Sequence, residues 1–222
     1  MRIYPIPGFS HPVSSLSHLL GAGVFAVLGF FLLRRGRGNI ARMISLGVFV
    51  FTCVFLLSMS GVYHLLEPGG AGNQVLQRLD HAAIFALIAG SFTPVHVMLF
   101  RGFWRWGVLL LIWALAATGI TLKVIFFSDI PEWLSLALYL GMGWIGLASG
   151  IALGRRYGFA FIRPLLFSGL SYTVGGLLEF LRWPVIIPGV LGPHELFHFA
   201  VLAGIGFHWR FLFHAMDWIK PS

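Results

Sequence analysis

His194 and His198 lie one helical turn apart at the head of an apolar run, with Glu195 between them. They belong to the stretch GVLGPHELFHFAVLAGIGFH, from Gly189 to His208. Residues i and i+4 of a helix share a face, so both imidazoles can point at one ion. Two imidazoles are half of a metal site, and the other donors must come from elsewhere in the chain. Read alone, HELFH also fits the HExxH pattern of zinc metalloproteases, in which the glutamate is the general base.

The elements that would position these groups follow from composition. The chain has 222 residues, 58% of them hydrophobic and 10% charged, with a mean hydropathy of +0.89. Soluble domains carry about 25% charged residues, and a helix of about 20 apolar residues crosses a bilayer. The expected fold class is therefore all-α, a polytopic membrane protein. Seven apolar segments can be drawn, at roughly 15–33, 43–65, 79–100, 106–127, 132–153, 164–182 and 191–213. The connections are short, which predicts one seven-transmembrane-helix bundle forming a single domain over residues 1–222. The lone cysteine, Cys53, sits inside an apolar run and excludes a disulfide framework or a cysteine zinc cluster. The net charge of +8 comes from loop residues, so no nucleic-acid partner is expected. No cleavable signal peptide is expected either, because the first apolar run ends in Arg34 and Arg35.

Seven spans put the N-terminus and three connections on one side, and the C-terminus and the other three connections on the opposite side. The first side holds Arg2, Arg78, Lys123 and Arg182; the second holds the other eleven of the fifteen basic residues. The positive-inside rule then places the C-terminus in the cytoplasm and the N-terminus outside, in a multi-pass protein of the cell (inner) membrane. Gly146, Gly150 and Gly154 repeat a small-xxx-small pattern in the fifth span, which suits an oligomer interface or close packing within the bundle.

Polar side chains inside spans cost roughly 2.5–3.5 kcal/mol each on insertion scales and are functional candidates. The second span closes with Ser60, Tyr63 and His64, the third opens with Asp80 and His81, and the seventh opens with His194, Glu195 and His198. The alternation of spans brings these three ends to the same face, so His64, Asp80, His194 and His198 are expected to converge. Three neutral imidazoles with one open position make a catalytic zinc site. Such an ion lowers the pKa of its bound water to roughly 7 and polarises a carbonyl. Asp80 could orient that water or act as general base, and Ser60, one turn before His64, could donate to the water or a developing oxyanion. His18 and His81 are on the correct side to serve as outer partners or substitute ligands; His96 and His208 are too deep, and His11 and His214 read as interface residues. Glu179 is one turn from Arg182 and is expected to pair with it; the alternative is that it lines the cavity and reads a polar headgroup. Glu195 reads as a bystander that favours the helix dipole.

Three stretches resemble the hemolysin III family, the bacterial branch of the progestin and adiponectin receptor proteins. They are Ser60-x-x-Tyr63-His64, LDHAAIFALIAGSFTP (Leu79–Pro94), and SYTVGG…LRWP…GPHELFHFAVLAG (Ser171–Gly204). The wider superfamily includes alkaline ceramidases. The resemblance implies zinc on His64, His194 and His198, with Asp80 near the metal water and Ser60 beside it. It also implies a lipid-facing cavity for a fatty-acyl chain and hydrolysis of a fatty-acyl amide. The leading functional expectation is a zinc-dependent hydrolase of a lipid amide or ester. The alternatives are a receptor-like regulator of membrane lipid homeostasis with structural zinc, and the HExxH protease.

Overall fold

A computed structural model of the protein describes residues 4, 5 and 9–218. Arg2 and Lys220, counted above for orientation, lie outside the described residues. Seven helices follow one another: α1 (Pro12–Arg35), α2 (Ile40–Leu65), α3 (Ala71–Leu99), α4 (Phe103–Ile125), α5 (Glu132–Tyr157), α6 (Phe159–Leu181) and α7 (Pro193–Ala215). All seven are long and apolar enough to cross a membrane. Leu20, Val27, Phe51, Leu110 and Leu170 are exposed on their outer faces. In water such surface would be a liability, whereas in hydrocarbon it is the expected exterior.

Local signals set the helix ends. Proline stands in the first turns of α1 and α7, where its missing N–H costs nothing. The Asn39 side chain caps α2 by accepting from the Arg42 amide. Two boundaries differ from the hydropathy reading by about a turn and a half or more. Helix α3 begins at Ala71, eight residues before Leu79, because its first turns, AGNQVLQR, are helical but polar. Helix α6 begins at Phe159 and carries Pro164 within it, where the sequence had suggested a start.

Successive helices pack on one another and α7 returns against α1, closing the bundle. Helix α3 also touches α5 and α7 and is the most deeply buried of the seven. The larger core joins α1, α2, α3, α6 and α7 through residues such as Leu32, Phe49, Leu57, Ala83, Ile205 and Phe211. A second cluster, Phe85, Ala89, Ile112, Ala116 and Met142, joins α3, α4 and α5. Gly90 lets α3 close on α2: a Cβ there would sit 2.1 Å from the Thr52 hydroxyl. Gly146 lies against Phe92 and Gly154 against Ile162, so these two small residues serve approach within the bundle.

The deep histidines tie helices together. His96 is fully buried, its Nδ1 2.5 Å from the Trp104 carbonyl and its Nε2 3.1 Å from the Ser149 hydroxyl, joining α3 to α4 and α5. The His208 Nε2 donates to the Ser91 carbonyl at 3.1 Å, joining α7 to α3.

Candidate metal centre

The C-terminal end of α2, the N-terminal end of α7 and the start of α1 meet at one end of the bundle. The chain entering α1 docks on the end of α2: the His11 amide donates to the His64 carbonyl at 3.0 Å and the Ser10 amide to the Leu65 carbonyl at 3.3 Å. The Ser15 hydroxyl then donates to the Gly61 carbonyl at 2.8 Å. Gly61 permits that contact, since a Cβ there would lie 2.7 Å from Leu19. Helix α7 is held by Glu195. Its Oε1 accepts from the Ser14 hydroxyl at 3.0 Å and its Oε2 from the Gly192 amide at 2.9 Å. Glu195 is 4% exposed. It clamps α1 to the head of α7 and satisfies an otherwise unpartnered helix amide.

Within this frame His64, His194 and His198 each offer a ring nitrogen, and the three lie within 4.8 Å of one another. The Nε2 atoms of His64 and His194 are 3.1 Å apart. Two zinc-bound nitrogens at tetrahedral angles stand about 3.3 Å apart, so the spacing suits one ion. The hydrogen bonds behind the rings fix which nitrogens are available. His198 Nδ1 is 3.2 Å from the Ser14 carbonyl, which can only accept, so Nδ1 carries the proton. His194 Nδ1 is 3.1 Å from the Glu179 carboxylate, which can only accept, so this Nδ1 carries a proton as well. In both neutral rings Nε2 keeps a lone pair. Imidazole ligands oriented in this way by a carboxylate and a backbone carbonyl are the usual outer support of a bound metal. The donor set fits a divalent ion of the zinc type.

Two of the three rings are deeply placed, His64 and His198 being 5% and 1% exposed. The His194 side chain is 33% exposed, leaving a way in from the aqueous face. His18 stacks on His198 with ring centroids 3.7 Å apart, and neither of its nitrogens has a partner among the described residues. It walls the site and is not in the metal-capable group. The His11 ring is 5.4 Å from that of His64. Burial, aided by His194 nearby, holds His11 below its ordinary pKa.

Asp80 lies nine residues into α3, about 13 Å along the helix. Its side chain is 14% exposed, 3.9 Å from the His81 ring and facing the buried Ser60 hydroxyl. Asp80 faces Ser60 and lies within electrostatic reach of His194, and neither residue is in the metal-capable group. His81 turns its Nδ1 to the Gln77 carbonyl at 2.8 Å.

Glu179 does not make the pair expected from its spacing. Arg182 leaves α6 in the left-handed region, at φ 53°, and reaches across to both oxygens of Glu132 on α5, at 3.1 Å each. The one-turn geometry needed for a Glu179–Arg182 pair ends with the helix, and Glu179 turns to His194. Sequence reasoning passed over Glu179, Ser14 and Glu195 as supports of the site. The available signal was that carboxylates in apolar spans need a buried partner, and histidines were the nearest candidates.

A seven-helix membrane protein with a three-histidine centre at one face is the class that fold and site define. The haemolysin-III related family model matches residues 10–209, and the chain belongs to that family. It is similar to hemolysin-3 of Bacillus cereus, 27% identical over 196 residues covering 86% of this chain and 84% of that protein. It is also similar to a hemolysin-3 homolog of Bacillus subtilis (strain 168), 27% identical over 195 residues covering 86% of this chain and 87% of the relative.

Proposed function

We propose that this protein is a zinc-dependent hydrolase of an amide or ester bond in a membrane lipid. The observation that carries the reading is the engagement of Nδ1 on both His194 and His198, by Glu179 and the Ser14 carbonyl. With Nδ1 of each engaged, both rings leave Nε2 for the metal-sized cluster they form with His64, and Asp80, its side chain 14% exposed, is within electrostatic reach of His194. Zinc, when bound, supplies Lewis acidity, lowering the pKa of a coordinated water to roughly 7 and polarising a carbonyl.

The residues divide the remaining work. His64, His194 and His198 hold the ion, with Glu179 and the Ser14 carbonyl keeping two of the rings in register. Asp80 accepts the proton of the attacking water and returns it to the leaving amine or alcohol, and Ser60 donates a hydrogen bond to the developing oxyanion. Water adds across the acyl bond, so the products are a fatty acid and the amine or alcohol that carried it. The acyl chain lies in apolar surroundings of the bundle while the polar headgroup stays at the face that holds His194. That face is the outer one if the excess of arginines marks the cytoplasm.

Glu195 offers the HExxH reading little support. Both of its oxygens are engaged by Ser14 and Gly192, and a general base needs a free one. The test compares wild type, His194→Ala and Asp80→Asn for zinc by elemental analysis and for fatty-acid release from a panel of lipid amides and esters. Expected are about one zinc per chain in wild type and Asp80→Asn, none in His194→Ala, and turnover in wild type alone. Zinc without release of any fatty acid would instead favour the regulator with structural zinc.

A further inference from the structure

At the opposite end of the bundle from the histidines, α6 starts and α7 ends side by side, enclosing a groove of about 330 Å³. We infer that this groove binds the phosphate headgroup of an anionic glycerophospholipid. Arg163 on α6 and Arg210 on α7 line it, both exposed. Among the described residues neither pairs with a carboxylate, and Asp217, just past the end of α7, is taken by Arg35.

The walls select a lipid over a free phosphate ion. Phe167 lies one turn beyond Arg163 along α6, and Phe207 lies three residues before Arg210 on α7. Because the helices run antiparallel, both rings sit on the membrane-interior side of their arginine. They pack together with centroids 5.4 Å apart and line the same groove. Phe161 and Trp218, 5.6 Å apart, complete its outer wall. Two guanidiniums at the mouth and aromatic rings leading inward match a phosphate with acyl chains below it. Arginine recognises phosphate in a bidentate fashion, and basic pockets between helices at the membrane surface recruit acidic headgroups. The groove shares no residue with the histidine centre, so the two can fail independently.

The experiment is native mass spectrometry of the full-length protein in detergent, titrated with phosphatidylglycerol or phosphatidylcholine of the same acyl composition. Wild type is expected to retain phosphatidylglycerol about 25-fold better, roughly fivefold for each arginine near the surface. Arg163→Gln/Arg210→Gln should bind the two lipids alike, while Arg37→Gln, on the same membrane side, should keep the preference. Should the double variant fail to fold, Arg163→Gln alone is expected to lose about fivefold, since its side chain is exposed. The inference is overturned if wild type shows no preference or if the arginine variants retain it. It is also overturned if millimolar inorganic phosphate displaces the lipid, which would make the groove a site for the free ion.

Discussion

Glu179 and Ser14 fix the two rings on α7 from opposite sides, one through a carboxylate and one through a backbone carbonyl. These are different kinds of support, and substitution separates them. Glu179→Gln replaces an acceptor-only group with an amide and frees His194 to turn or change tautomer. Zinc affinity should fall about 10–100-fold, measured by competition with a chromogenic chelator, because such outer partners contribute on that scale. Ser14→Ala keeps the carbonyl that orients His198 but leaves Glu195 one hydrogen bond short in a buried position. The expected cost is about 1–3 kcal/mol of stability, read as a lower melting temperature in detergent, with zinc affinity little changed. The identities of His64, His194 and His198 were legible in the sequence because histidines in apolar spans are few and their span ends share a face. Glu179 was not, because its partner depends on Arg182 leaving the helix, a backbone event that spacing does not reveal.

The helices as elements were legible almost throughout, since an apolar run of about 20 residues has few alternatives. Hydropathy failed where helix and hydrocarbon part company. The polar turns from Ala71 to Arg78 remain helical, which sets Asp80 well inside α3 instead of at its mouth. Packing was the least legible level, because it depends on which small residues face one another. Gly90 is the clearest instance: a side chain there meets Thr52 on α2, and Thr52 is held by its own hydrogen bonds to the Val48 and Phe49 carbonyls. Gly90→Val should therefore force α2 and α3 apart and lower the melting temperature by more than Gly23→Val, where nothing lies within 4 Å. Equal effects of the two substitutions would show that the approach at Gly90 does not matter to the bundle.

For the whole molecule, the fold and the family agree, and the excess of arginines at one end predicts its sidedness. Cys53 is buried, so a Cys53→Ala background makes single introduced thiols reliable reporters. Gly69→Cys lies in the α2–α3 turn near the histidines, and Gly38→Cys in the α1–α2 turn at the arginine-rich end. In intact cells a membrane-impermeant maleimide should label Gly69→Cys and spare Gly38→Cys; the reverse pattern would place the centre at the cytoplasmic face.

The clamp between Ser14 and Glu195 joins the first helix to the last. Synthesis proceeds from the N-terminus, so a nascent chain that has emerged only through Leu181 contains His64 but neither His194 nor His198. Six helices can already be in the bilayer at that moment, yet the three-histidine group still lacks two of its members. If the three histidines hold an ion as proposed, its loading is the final event of biogenesis, available only to a chain that was finished and whose seventh helix found its place beside the first.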